Sequence, residues 1–279
     1  MVRKIYLVKV FTKNPKFGNL AGVVPYADGL SVLEMQKIAK RVRASETAFI
    51  FSSWKAAFKI RWFTPKNEVG LCIHATIASV AVMNKLKMIS KTNFKLETKN
   101  TLIEVDNKHN EATLLISGYR ESIKVKKITG ICNLLKIQEI DLMDVPAIVG
   151  IYSDKELIVP VRSLSILKNL DPSTKKYTQL CKLLKVTGIS IFTREVFNKK
   201  NSLHTREFAP LYGYLEDPLC GLAAGAITQY LSEQKSNTKI VKVEQGNFIK
   251  KSGQIIVKKS ALGLYIGGKY IILKKLLVY

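Results

Sequence analysis

Arg61-Trp62-Phe63-Thr64-Pro65, followed by Leu71-Cys72-Ile73-His74-Ala75-Thr76-Ile77-Ala78, decides the reading of this chain because its pattern occurs twice. The second copy runs Arg206-Glu207-Phe208-Ala209-Pro210 and then Leu219-Cys220-Gly221-Leu222-Ala223-Ala224-Gly225-Ala226. Arg, Phe, Pro, Leu, Cys and two Ala keep their spacing at each end of the motif, and only the middle of the second copy is longer, by three residues. A two-unit repeat of about 145 residues is too long for a solenoid and predicts a duplicated lobe with pseudo-two-fold symmetry. The two copies are expected to face each other across one catalytic cleft.

In each copy a strand ends at Pro, a polar loop follows, and a Cys stands just before an apolar, alanine-rich helix. Helix N-termini carry unpaired N–H groups and partial positive charge, so two of them aimed at one cleft would bind a carboxylate or enolate-like anion. They would also depress the pKa of Cys72 or Cys220. A lone Cys in an apolar setting also serves as a small core residue, and that reading stands beside the catalytic one. His74 is a candidate for chemistry or a hydrogen-bonded core histidine. Asp217, in Glu216-Asp217-Pro218, suits a helix N-terminus electrostatically whatever its chemistry. Glu46 sits where a loop passes into the apolar strand at Phe49. It is either a solvated loop carboxylate or, if buried, a group whose pKa rises toward the range a general acid/base needs.

Around these segments, Val2 to Phe11 reads as a strand and Thr12 to Asn19 as a turn region. Ser31-Val32-Leu33-Glu34 has the capping-box form and predicts a helix from about Val32 to Arg43. Strands are expected at Thr47–Ser52, Phe58–Phe63, Phe94–Glu97, Leu102–Asp106 and Thr113–Ser117, with a buried helix at Ala75–Leu86. The second half repeats this order. Strands are expected at Ala147–Tyr152, Leu157–Val161, Gly188–Thr193 and Leu203–Phe208, and helices at Thr174–Leu184 and Leu222–Leu231. Ile240 to Tyr279 reads as further strands. The lobes are placed at 1–119 and 120–265, with a final strand at about 266–279 returning to the first.

With 279 residues, 47% of them apolar, the chain can bury a large core. No run approaches the roughly 20 apolar residues of a membrane helix, and the N-terminal apolar run is short, so a soluble, cytoplasmic protein is expected. The four cysteines are widely spaced and suggest neither a disulfide framework nor a zinc site. The net charge of +24 would attract nucleic acid or small carboxylates. Its lysines are scattered as singles and pairs, which favours a solvated surface over a nucleic-acid tract.

Taken together these residues resemble the phenazine-biosynthesis PhzF-like isomerases, members of the diaminopimelate epimerase-like fold. The resemblance rests on Phe11-Thr12, Phe17-Gly18-Asn19 and Val23-Val24; on Ser45-Glu46-Thr47-Ala48-Phe49; and on Arg61 to Pro65 with Glu68-Val69, Leu71-Cys72 and His74-Ala75-Thr76. In the second half it rests on Arg206, Phe208 to Pro210, Gly213, Glu216 to Pro218, Gly221, Ala223-Ala224, Gln245-Gly246 and Gly267-Gly268. It implies an α+β protein of two pseudo-symmetric lobes, each a β-barrel-like sheet around a central helix, usually a homodimer, with no cofactor and no metal.

It further implies that a single acid/base, Glu46, moves a proton within a small unsaturated carboxylic acid, a 1,3-shift assisted by His74 and Asp217. An elevated Glu46 pKa is expected for that role. Asn19, Ile73, Gly221 and Leu222 fall at substrate-binding positions. Three departures bear on this reading. Ile73 and Leu222 stand where the family has Gly and Ser, adding bulk to the anion pocket, and Cys220 stands where Thr is common. Related epimerases and racemases of this fold use one cysteine from each lobe as opposing bases, so Cys72 and Cys220 define an alternative two-thiol enzyme. A non-catalytic or nucleic-acid-binding descendant of the fold is the third reading.

Overall fold

The capping box read at Ser31 and Glu34 is formed in the computed structural model. Glu34 N–H donates to Ser31 Oγ at 3.3 Å, and Ser31 N–H donates back to Glu34 Oε2 at 2.8 Å. The structure describes residues 3–108, 110–152, 154–171, 174–234 and 238–278. Val2 and Tyr279, at the outer ends of two expected strand regions, lie outside them.

In chain order the elements are β1 (Arg3–Val10), β2 (Asn19–Val24), α1 (Val32–Val42), β3 (Glu46–Phe51), β4 (Phe58–Phe63), β5 (Glu68–Val69), α2 (Ile73–Lys85), β6 (Asn93–Glu97), β7 (Leu102–Lys108) and β8 (Glu111–Ile116). There follow β9 (Ile123–Lys124), α3 (Ile128–Leu135), β10 (Ala147–Ile151), β11 (Asp154–Pro160), α4 (Leu164–Asn169), α5 (Thr174–Leu184), β12 (Gly188–Thr193) and β13 (Leu203–Ala209). The chain closes with β14 (Tyr214–Asp217), α6 (Gly221–Glu233), β15 (Ile240–Gln245), β16 (Gly253–Ser260) and β17 (Gly263–Val278).

One unit comprises Met1–Leu115 with Tyr265–Tyr279, the other Ile116–Leu264. In the first, β2 runs antiparallel to β1 and parallel to β3. β4 is antiparallel to β3 and β5 and parallel to β6, β7 is antiparallel to β6, and β17 pairs antiparallel with β1. The second repeats the pattern. β11 is antiparallel to β10 and parallel to β12, β13 is antiparallel to β12 and β14 and parallel to β15, and β16 is antiparallel to β15. The sequence repeat is thus a repeat of strand order and register.

Each unit surrounds one helix. Every residue of α2 from Ile73 to Met83 is buried, and the helix packs against β1, β2 and β3. A helix apolar on all sides is stable only when enclosed in this way. Its counterpart α6 packs against β10, β11, β12 and β16. The amphipathic α1 adds a second layer to the first unit, burying Met35, Ile38, Ala39 and Val42 against Phe49 and Phe63. In the second unit Tyr177, Leu180 and Cys181 of α5 and Ile131, Cys132 and Leu135 of α3 share a core with Leu157, Ile189, Ile191 and Phe208.

Several elements differ from the sequence reading. Asn19–Val24 is a strand almost wholly buried, so it shows no alternation and merges with the turn before it. Helices α3 and α4 were not anticipated, and α2 starts at Ile73 rather than Ala75. Among the described residues no helix is long and apolar enough to cross a membrane.

Candidate active site

Each motif arginine is a clamp. Arg61 Nε and Nη2 donate to Glu68 Oε1 and Oε2 at 2.7 and 2.8 Å, and the guanidinium lies 5.4 Å from the Phe63 ring centroid. Arg206 donates to Glu216 at 3.1 and 2.7 Å and lies 5.1 Å from the Phe208 ring. A bidentate pair fixes the fork in one orientation, so each clamp ties the motif strand to the short strand that precedes the following Cys and helix. Arg206 also donates to the Leu167 and Leu170 carbonyls at the end of α4.

In the first unit the start of β2, the turn from α1 into β3 and the start of α2 bring together Asn19, Ser45, Glu46, Cys72 and His74. His74 Nε2 lies 3.0 Å from Glu46 Oε2 and 3.1 Å from Ser45 Oγ. His74 Nδ1 lies 3.4 Å from Cys72 Sγ and 3.5 Å from Asn19 Nδ2. The one Ser45 hydroxyl proton goes to the Leu20 carbonyl (2.9 Å) or to Asn19 Oδ1 (3.2 Å). Glu46 is 8% exposed, Cys72 7%, His74 5%, and Asn19 and Ile73 2% each, so these charges and polar atoms act with little screening by water.

Burial pushes the Cys72 thiol up, Glu46 adds to that, and His74 opposes it. For His74 burial acts downward, but the facing Cys72 and Glu46 outweigh it and hold the imidazole well above its ordinary value. The expected depression of this cysteine by the helix N-terminus is therefore not what its surroundings produce; desolvation wins. Glu46, Cys72 and His74 each bring a donor atom within 4.8 Å of one another. That set suits a thiophilic divalent ion if Cys72 loses its proton. Sequence spacing carried no sign of it, because Glu46 comes from β3 and the other two from the start of α2.

The second unit holds the other candidates. Asp217 Oδ1 accepts from Leu219 N–H at 3.0 Å. Gln245 ties the loop on both sides, donating from Nε2 to the Asp217 carbonyl at 2.8 Å and accepting from Cys220 N–H at 3.2 Å. Cys220 is the N-cap of α6 as Cys72 is of α2, and neither side chain caps its helix. Gly221 is buried as the first residue of α6, and Leu222 is half-buried, its carbonyl accepting from Tyr119 Oη at 2.9 Å. Burial, then Asp217, Glu207 and Glu156, push the Cys220 thiol well up.

The positions of Ser45 and Gln245 lay inside motifs read from the sequence, but their bonding was not read. Glu156, Ser190 and Glu207 were missed as a group. The available signal was Glu207 itself, an acid in the Arg-x-Phe strand at the position that Trp62 fills in the first copy.

An α+β unit built twice, each copy around one central helix, is the architecture of the epimerase-like class of folds. A hydroxyproline epimerase from Agrobacterium vitis, solved with trans-4-hydroxy-L-proline, has this fold at a TM-score of 0.62 and 11% identity, covering 99% of this chain and 92% of its own. The Bacillus anthracis phenazine biosynthesis protein of the PhzF family superposes with a TM-score of 0.87 at 26% identity, covering 100% of this chain and 99% of its own. The uncharacterized isomerase YfhB of Bacillus subtilis is 32% identical over 267 residues, 92% of this chain and 91% of that protein. An uncharacterized isomerase of Clostridium acetobutylicum is 32% identical over 275 residues, 92% and 91% of the two chains. The phenazine biosynthesis-like protein family (PhzC-PhzF) matches residues 8–270, and the chain belongs to it. It is an isomerase with the diaminopimelate epimerase-like fold.

Proposed function

We propose that the chain is a cofactor-independent isomerase that moves a proton within a small carboxylic acid, with Glu46 as its single acid/base. The observation carrying this reading is the buried Glu46–His74 pair at 3.0 Å beside the start of α2. A carboxylate out of water is a stronger base toward carbon, and one carboxylate can take a proton, hold it and return it two atoms away. His74, held cationic next to it, stabilises the negative charge that develops when the carbon is deprotonated. The first N–H groups of α2, left without a side-chain cap beside this pair, favour a substrate carboxylate. Asn19 and Ile73 lie beside this pair in the first unit, and in the second unit Asp217, Gly221 and Leu222 gather at the start of α6.

A second reading has its own observation: Cys72 and Cys220 occupy the same N-cap position in the two units. Two opposing thiols would invert one carbon. The raised thiols of both residues weigh against either serving as a base at neutral pH. The test is 1H NMR of a panel of small unsaturated and 2-amino carboxylic acids in D2O. The single-carboxylate reading expects C–H wash-out that persists in Cys220→Ser and disappears in Glu46→Gln; the reverse pattern selects the thiols.

A further inference from the structure

The register of the two units identifies what replaces Glu46 in the second. Glu46 pairs with Ala21 across the parallel β2–β3 ladder, three residues before Phe49, which pairs with Arg61. Gly188 pairs with Glu156 across β11–β12, three residues before Ile191, which pairs with Arg206. The counterpart of Glu46 is therefore Gly188, which has no side chain. The space is not vacant. A Cβ built on Gly188 would lie 2.4 Å from Glu156 Oε2 and 2.6 Å from Glu207 Oε1. Two neighbouring strands thus send a carboxyl group each to the spot that β3 fills with one.

Both carboxyls meet one hydroxyl. Ser190 Oγ is 3.0 Å from Glu156 Oε1 and 2.5 Å from Glu207 Oε2, and all three side chains are buried, at 0%, 6% and 2% exposure for Ser190, Glu156 and Glu207. Ser190 has a single proton to donate, and an ionised carboxylate can only accept. One contact is Ser190 donating; the other, at this length, requires a carboxylic acid donating to Ser190 Oγ. We propose that Glu156 and Glu207 form an acid pair that keeps one proton at neutral pH, and that this proton holds together the strand ends behind Asp217 and Cys220. Glu207 lies directly opposite Asp217 in the β13–β14 pairing.

The groups facing the pair are themselves acids: Asp154 at the start of β11, Asp217 on β14, Cys181 of α5, Cys220 at the start of α6, and Tyr119 and Tyr212. Burial pushes Glu156 up to about 7, and burial with Glu156 beside it pushes Glu207 well above the usual carboxylate range. Because both folded-state values are raised, the stabilisation is complete below the unfolded value near pH 4.5, falls as pH rises through about 7 where Glu156 ionises, and is lost in full only above the higher value of Glu207.

Two measurements on the whole chain test this. Glutamate 13C-carboxyl NMR of the unaltered protein should show a carboxyl carbon still protonated at pH 7, absent from both Glu156→Gln and Glu207→Gln. The melting temperature of the unaltered protein should fall by roughly 5 °C or more between pH 5 and pH 8 beyond any fall in the Gln variants. A neutral amide keeps a donor, so Glu207→Gln should retain its fold at pH 8 where Glu207→Ala loses stability at every pH. If every glutamate carboxyl is ionised by pH 6, or the Gln variants keep the full pH slope, the proposal fails. The NMR result on the unaltered protein decides even if a variant does not fold.

Discussion

His74 Nε2 lies 3.0 Å from Glu46 Oε2, with both side chains at least nine-tenths buried. The ring comes from the first turn of a helix and the carboxylate from the first residue of a strand, so two elements of the first unit must fold correctly for the pair to exist. Removing either partner should lower turnover about 10²–10⁴-fold. Comparing kcat in His74→Asn and Glu46→Gln, with circular dichroism to check the fold, measures this.

The pair also sets a pH dependence. Against the downward push of burial, His74 is raised by the facing Cys72 and Glu46, so its contribution to stability is fully present below the unfolded value near 6.5 and is lost as pH rises through the higher folded value. Activity that needs the imidazolium should fall over the same alkaline window. In His74→Asn both the alkaline limb of the rate profile and the matching slope in melting temperature should be absent.

Breaking the clamp arginines should destabilise the two units unequally. Arg206 and Glu216 are 5% and 6% exposed, whereas Arg61 and Glu68 are each 25% exposed. Removing one partner of a buried pair leaves the other uncompensated, at about 3–5 kcal/mol. Arg206→Ala should therefore cost more than Arg61→Ala in urea unfolding, and more again because the Leu167 and Leu170 carbonyls lose their donor.

Cysteine chemistry should be slow. Cys72, Cys132 and Cys181 are buried and Cys220 is half-buried, and all four thiols are raised first by burial. Iodoacetamide should label Cys220 first, with a rate that keeps climbing above pH 9 rather than levelling near neutrality. Fast labelling at pH 7 would show a thiolate and revive the two-thiol enzyme.

The repeat, the Ser31 cap and the two central helices were legible because each rests on local signals: spacing, a capping pair, an unbroken apolar run. Strand β2 was not, since burial on both faces removes the alternation that marks a strand. The same physics hid Glu156 and Glu207. In a strand covered on both sides an acid reads as a solvent-facing residue, and only the register that places both beside Gly188 shows otherwise. Helix α3 spans eight residues with Gly130 among them, and α4 only six, Leu164–Asn169, so neither fills the window over which helical periodicity can be read. Glu46, His74 and the cysteines stood out as candidates, yet their charge states depend on burial and on partners distant in sequence, which spacing does not encode.

The most direct test of Glu46 as the one acid/base is the fate of a label in a single turnover. A substrate deuterated at the carbon that loses its proton is converted in H2O, and the product is read by 2H NMR. One carboxylate that takes and returns the same proton predicts part of the deuterium at the accepting carbon, with both transfer and turnover lost in Glu46→Gln. Complete loss of deuterium to solvent, with turnover undiminished in Glu46→Gln, would contradict the account.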